Sequence, residues 1–225
     1  FRGATAGRVT FQSDAFKHLM ARRGKYMASA VRDHCRVLFT DSDVMWLADP
    51  VPALTGECDL WAQVHVKKRT GGTFDDPGNF LNPGFLAVAR SARTVAVMEA
   101  WATLMADGPT HNMGKFNEAL RSVGGLRACR LEEKFPEGNM MTWTEAWIAE
   151  NRPTVVHNNW IGRKDSQIKR LKTAGLWPCD ARTCADPSHV ARRRIHELAA
   201  EGPRRRDVSG EGLWRVLVAH PDLAA

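Results

Sequence analysis

The sequence predicts an α/β protein, and three observations predict it. Short apolar runs rich in β-formers, among them Val37-Leu38-Phe39 and Val155-Val156, alternate with stretches whose apolar residues recur at helical spacing. The first helical stretch leads directly into the first strand, an αβ unit. That strand stops at two acids one residue apart, Asp41 and Asp43, and ligand sites in open α/β sheets lie off the carboxyl ends of strands.

Each element has its own signal. Ser13-Asp14 reads as an N-cap. Behind it Phe16, Leu19, Met20, Met27, Ala30 and Val31 recur at helical spacing, so residues 14–33 form an amphipathic helix. Most of its basic residues, Lys17, Arg22, Arg23 and Lys25, are expected to face solvent. After the acids, Val44 to Leu47 are apolar until Asp49-Pro50 ends the element. Residues 59–66 read as a strand and 67–77 as a glycine-containing loop, where Asp75-Asp76 read as a plain turn before Pro77 ahead of the alternative, catalytic carboxylates. Residues 86–89 are a strand, led in by a tight turn at Asn82-Pro83-Gly84. Ser91 caps a core helix carrying Val95, Met98, Trp101 and Met105 on one stripe. A helix over 112–123 turns Phe116, Leu120 and Val123 inward and stops at Gly124-Gly125. A strand over 126–131, a turn at Phe135-Pro136-Glu137-Gly138, a strand ending at Val156 and a basic helix over 164–174 follow. Two more helices are expected at 187–200 and 213–218.

Composition narrows the classes. The 225 residues suffice for one α/β domain. No apolar run is long enough to span a bilayer. The chain begins at Phe1 rather than Met, which reads as a fragment, with an anchor and the first strands expected ahead of it. Net charge is +7, and runs such as Arg192-Arg193-Arg194 and Arg204-Arg205-Arg206 crowd the end. No aromatic residues interleave them, so they read as a solvated tail and no nucleic-acid partner is expected. The organisation is a domain over 1–178 followed by a basic, partly helical extension over 179–225. The five cysteines form no C-x-x-C pair, against a zinc site. Cys35 and Cys129 are expected as buried thiols, while Cys179 and Cys184 have the spacing to bridge in an oxidising lumen.

Three stretches carry chemistry. Two carboxylates on one strand exit repel each other, and a divalent cation with oxygen ligands removes the repulsion. Asp41-Ser42-Asp43 therefore reads as a metal site. Asn82 offers both donor and acceptor to a sugar hydroxyl, and Gly84 lets backbone approach closely. His157 stands at a second strand tip, where imidazole suits Mn²⁺. Gly162 and Lys164, at the start of the following helix, would set backbone N–H groups and an ammonium against a diphosphate.

In order, these stretches are a D-x-D, an N-x-G-F at Asn82 and an H-x-x-W-x-G-x-K from His157. Together they resemble the nucleotide-diphospho-sugar transferase family that includes plant and algal α-xylosyl- and arabinosyltransferases. The resemblance covers roughly residues 16–177. It implies a mixed, mainly parallel sheet flanked by helices, with the N-terminal strands of the nucleotide-sugar transferase fold lying before Phe1. It implies transfer of a pentose or galactose from a UDP-sugar to a glycan or glycoprotein hydroxyl, with retention and with Mn²⁺ or Mg²⁺. Asp41, Asp43 and His157 would hold the metal, and Asp41, Asp43 and Asn82 would be catalytic. Lys25, Asp41, Gly162 and Lys164 would bind the donor; on the residues alone Lys25 is a surface residue. A Golgi-lumenal address, anchored through the missing N-terminus, is likewise implied. One departure stands out. The family carries Asp-Gln ahead of a Phe-Asn pair, where this chain has Asn112 and Met113 ahead of Phe116-Asn117. That leaves open a binding domain without turnover. A haloacid-dehalogenase-type phosphotransferase with Asp41 as nucleophile is the other rival, but Val44-Met45-Trp46 stand where that pattern has small residues and Gly or Thr.

Overall fold

A computed structural model of the chain describes residues 14–65, 80–106, 112–131, 133–138, 143–161, 164–177 and 215–219. Asp75-Asp76, Gly162, Cys179, Cys184 and the helix expected at 187–200 lie outside the described residues. The elements run α1 Asp14–Asp33, β1 Arg36–Asp41, β2 Val44–Trp46, β3 Leu60–Val64, β4 Leu81–Ala89, α2 Ala92–Ala106, α3 Asn112–Ser122, β5 Ala128–Leu131, α4 Glu145–Asn151, β6 Val155–His157, α5 Lys164–Thr173 and β7 Arg215–Ala219.

Five strands form one sheet in the order β5-β3-β4-β1-β7. β5 runs parallel to β3 and β7 parallel to β1, while β4 is antiparallel to both β3 and β1. Four strands therefore share one direction and β4 alone is reversed, the mixed, mainly parallel sheet that was expected. β2 and β6 pair separately and antiparallel.

Alternation along the strands divides the core. Val37 and Phe39, Leu60, Ala62 and Val64, and Leu86 and Val88 face a cluster with Met27, Val31, Met98, Trp101 and Phe116 of α1, α2 and α3. Leu38, Trp61, Phe85 and Ala87 face the other way, onto Val44, Phe135 and Val155. Trp101 is fully buried, as its stripe implied. Ser91 caps α2 by accepting from the Thr94 amide at 3.1 Å. Gly125 and Gly175 close their helices at φ 71° and 65°.

Four expectations are corrected. Asn82-Pro83-Gly84 is not a turn ahead of the strand but part of β4, where the register against β3 shifts between Ala62 and Gln63. The irregularity takes up the residues that a turn would have used. Residues 215–219 form a strand rather than a helix, because Val216 to Val218 pair with the buried backbone of β1. Cys129 is no thiol; it is bonded to Cys58 across 71 residues, and Cys35 is exposed. Arg23 is buried rather than solvent-facing. The short helix α4 is an element beyond those expected; its signal is Thr144, whose hydroxyl accepts from the Trp147 amide.

The start of β4 is tied to α3 by one side chain. Asn117 Oδ1 accepts from the Leu81 amide at 2.8 Å, and Nδ2 donates to the Leu81 carbonyl at 2.8 Å and to the Met113 carbonyl at 2.7 Å. An amide that satisfies both backbone groups of a buried strand residue acts as a one-residue neighbouring strand. Asn117→Ala strands both groups and is expected to cost about 2–4 kcal/mol in urea unfolding. A loss below about 0.5 kcal/mol would show that water replaces the side chain there.

Candidate metal centre

β1 delivers Asp41 to the carboxyl end of an interior strand, and the turn after it delivers Asp43. The β2–β6 pair then brings in the third residue, since Val44 lies opposite His157 and the Asn158 amide donates to the Asp43 carbonyl at 2.8 Å. One oxygen or nitrogen each from Asp41, Asp43 and His157 lie within 4.8 Å of one another. His157 Nε2 is 3.3 Å from Asp43 Oδ1 and 3.9 Å from Asp41 Oδ2. Two carboxylates and an imidazole form a set of hard and borderline donors suited to Mn²⁺.

The orientation of the imidazole also fits a metal ligand. Gln63 Nε2 donates to the Phe135 carbonyl at 2.6 Å, so its Oε1 is the atom turned to His157 Nδ1, at 2.8 Å. A neutral ring then keeps its proton on Nδ1 and points the Nε2 lone pair at the two acids. Gly84 supplies the space: a Cβ there would overlap the His157 ring and come within 2.9 Å of Asp41 Oδ2.

The charges at the centre are unevenly held. Burial, with Asp43 close by, raises Asp41 above the usual carboxylate range, against the pull of Arg23 and His157. Burial also acts to raise Asp43, but the hydrogen bond and charge of His157 outweigh it and hold that carboxyl low. Burial alone would lower His157; the bond to Asp43 and the surrounding acids reverse this and raise it. Arg23 and His157 are the two basic groups set against the two acids.

Arg23 is the helix residue that reaches this centre. Its guanidinium sits 2.6 Å from Asp41 Oδ1, donates to the Pro83 carbonyl at 2.9 Å and lies over the Phe39 ring at 4.4 Å. Lys25 is not brought to the centre. It is exposed and lines a groove between α1 and α2 with Arg32 and Glu99. Two residues along a helix is more than half a turn, so Lys25 and Arg23 cannot share a face. Asn82 is at the centre's margin with its amide engaged: Oδ1 accepts from the Gly84 amide at 2.8 Å, and Nδ2 donates to Glu137. It holds the β4 irregularity rather than offering both ends to a substrate. Lys164 opens α5, and Asn112 opens α3.

Residue-type motifs had not singled out Glu137, Gln63 or His65. Glu137 has no solvent exposure and bridges in backbone to His157. Its carboxylate accepts from Asn82 Nδ2, His65 Nδ1 and Trp160 Nε1. Burial works to raise its pKa, but the bonds from His65, Asn82 and Trp160 outweigh it and depress it below 4.5. A signal for Gln63 and His65 did exist. They follow Trp61 at two-residue spacing, Gln63 within β3 and His65 just past its end, so polar side chains replace apolar ones toward the strand's carboxyl end. A depressed folded-state pKa contributes stability that is present above the unfolded value and lost as pH falls through the folded one. Glu137→Gln is therefore expected to flatten the acid limb of the stability curve below about pH 4.5. Urea midpoints between pH 3 and 7, about the range in which carboxyls titrate, would test this; parallel wild-type and mutant curves would refute it.

A model of the nucleotide-diphospho-sugar transferase family matches residues 3–171. A UDP-D-xylose:L-fucose α-1,3-D-xylosyltransferase of Arabidopsis thaliana is 25% identical over 205 residues, covering 79% of this chain and 51% of its own. A β-arabinofuranosyltransferase of the same plant is 26% identical over 199 residues, covering 76% of this chain and 36% of its own. The chain thus spans about half the length, or less, of these relatives. A crystal structure of a glycosyltransferase involved in glycosylation of the major capsid of PBCV-1 aligns with TM-score 0.47 and 11% identity, over 75% of this chain and 81% of that one. That likeness is too distant to add to the assignment.

Proposed function

The chain belongs to the nucleotide-diphospho-sugar transferase family, and on that premise we propose that it moves a sugar from a UDP-sugar donor to a hydroxyl of a glycan or glycoprotein, with retention and with Mn²⁺ or Mg²⁺. The observation that carries the proposal is the convergence of Asp41, Asp43 and His157. These residues would hold the ion, which when bound supplies positive charge against the leaving diphosphate. The relatives' names make pentose donors the first to test, and galactose is the other sugar to screen.

The chain's own residues have distinct tasks. Arg23 fixes Asp41 and keeps a second positive charge at the centre. Gln63 sets the tautomer of His157. Lys164, at the start of α5, would face the diphosphate, with Gly162 just ahead of it allowing close approach. The acceptor hydroxyl is the nucleophile. Residues 1–178 would form the transferase unit and 179–225 an extension that returns β7 to the sheet. A lumenal, Golgi address is supported by the Cys58–Cys129 bond, since disulfides persist in oxidising compartments. No helix among the described residues is long and apolar enough to cross a membrane.

Asn112-Met113, in place of the family's Asp-Gln, favours one second reading, a domain that binds donor without turning it over. The haloacid-dehalogenase reading falls with the family assignment. Calorimetric titration of UDP with and without Mn²⁺, followed by a donor-hydrolysis screen of UDP-xylose, UDP-arabinofuranose and UDP-galactose, separates the cases. Mn²⁺-dependent binding with hydrolysis supports the transferase. Binding with no hydrolysis or transfer selects the second reading. No UDP binding in either condition overturns both.

A further inference from the structure

The loop after β6 holds an aromatic group that the metal centre does not use. Trp160, three residues past His157, is 44% exposed. Its backbone is left-handed, at φ 67°, a conformation that a bulky residue adopts only where its surroundings enforce it. The enforcement is visible. The indole stacks on His65, with ring centroids 4.9 Å apart and planes 18° apart. Its Nε1 donates to Glu137 Oε2 at 3.2 Å, and His65 Nδ1 lies 3.0 Å from the same oxygen. Next to Glu137, the Gly138 amide donates to Asn159 Oδ1 at 2.8 Å, which fixes the loop just before Trp160.

These contacts bind the polar edge of the indole inward, onto the Glu137 that bridges to His157, while the residue stays 44% exposed. A tryptophan serving the core would do the reverse. A rigid, half-exposed aromatic face next to polar groups suits a ligand with one C–H face and a rim of hydroxyls. Resting on the transferase reading above, we propose that Trp160 is the platform of a sugar-ring subsite at the rim of the metal centre, held face-out by His65 and Glu137. The ring is that of the donor sugar or of the acceptor sugar.

The test compares wild type, Trp160→Ala and Trp160→Phe, each checked for folding by its thermal transition. UDP and UDP-xylose are titrated calorimetrically with Mn²⁺, and methyl glycosides are examined by saturation-transfer NMR. In Trp160→Ala, UDP affinity is expected within about twofold of wild type while one sugar arm falls about tenfold, with Trp160→Phe recovering much of it. Loss on UDP-xylose alone assigns the donor ring; loss on the methyl glycoside assigns the acceptor ring. Equal loss for UDP and UDP-xylose would give the platform to the base and overturn the sugar assignment. No loss in either arm overturns the subsite. If wild type binds no UDP, the transferase reading fails by itself, and the subsite is judged on the glycosides. Saturation transfer that disappears in Trp160→Ala but persists in Trp160→Phe sustains it, and no transfer to wild type overturns it. Should Trp160→Ala not fold, Trp160→Phe and Trp160→His decide by the same criteria.

Discussion

Asp43→Ala is expected to weaken Mn²⁺-dependent UDP binding by about 100-fold or more, since losing a ligand costs more than losing a residue that merely orients one. The fold should survive, because His157 can shed its proton once Asp43 is gone and leaves no stranded charge. The mutant therefore separates binding from stability. Calorimetry with and without Mn²⁺ reads the first and a thermal transition reads the second. Wild-type affinity for UDP in the mutant would remove Asp43 from the metal centre and take the proposed function with it. A mutant that fails to fold would show instead that the Asp43–His157 pair, 3.3 Å apart, supports the structure.

Gly84→Ala is expected to damage both at once. The added methyl would overlap the His157 ring, and Asp41 Oδ2 and His157 Nδ1 would each lie 2.9 Å from it. Nothing there can yield cheaply. His157 is pinned by Gln63 at 2.8 Å, and Asp41 by Arg23 at 2.6 Å. Forcing one methyl into a filled site costs about 1–3 kcal/mol. Any relief that moves the ring also pulls Nε2 away from the acids. Urea unfolding with and without Mn²⁺ should show a lower midpoint and no metal-induced rise. A variant as stable as wild type, with its Mn²⁺ response intact, would mean that β4 and His157 lie farther apart than described.

Much of this was legible in the residues. The D-x-D at the end of an apolar run located the centre, because strand ends and paired acids are local features. His157 was legible for the same reason. What a local pattern cannot show is which distant side chain closes the site. Arg23 and Lys25 look alike as basic residues on one helix, and only packing against β1 buries the first and exposes the second. Asn82-Pro83-Gly84 has turn-forming composition, yet its place between two strands keeps it extended. Residues 213–218 read as a helix until β1 is seen to offer residues 215–219 a parallel partner. Glu137 was read as part of a turn because its three hydrogen-bond partners come from residues 65, 82 and 160. The Cys58–Cys129 bond likewise joins β5 to the loop before β3, elements that meet only once the sheet has formed.

The place of β7 has a consequence for how the chain is made. β1 carries Asp41, and its neighbours are β4 and, on the far side, residues 215–219. A nascent chain emerges from its N-terminus, so β1, β3, β4 and β5 are available to pair long before β7 leaves the ribosome. During that interval β1 has unmet N–H and C=O groups on one side, along a buried, apolar strand. Such an edge recruits other chains. The strand that supplies the chemistry is thus the one that stays open to self-association until residues 215–219 have been made.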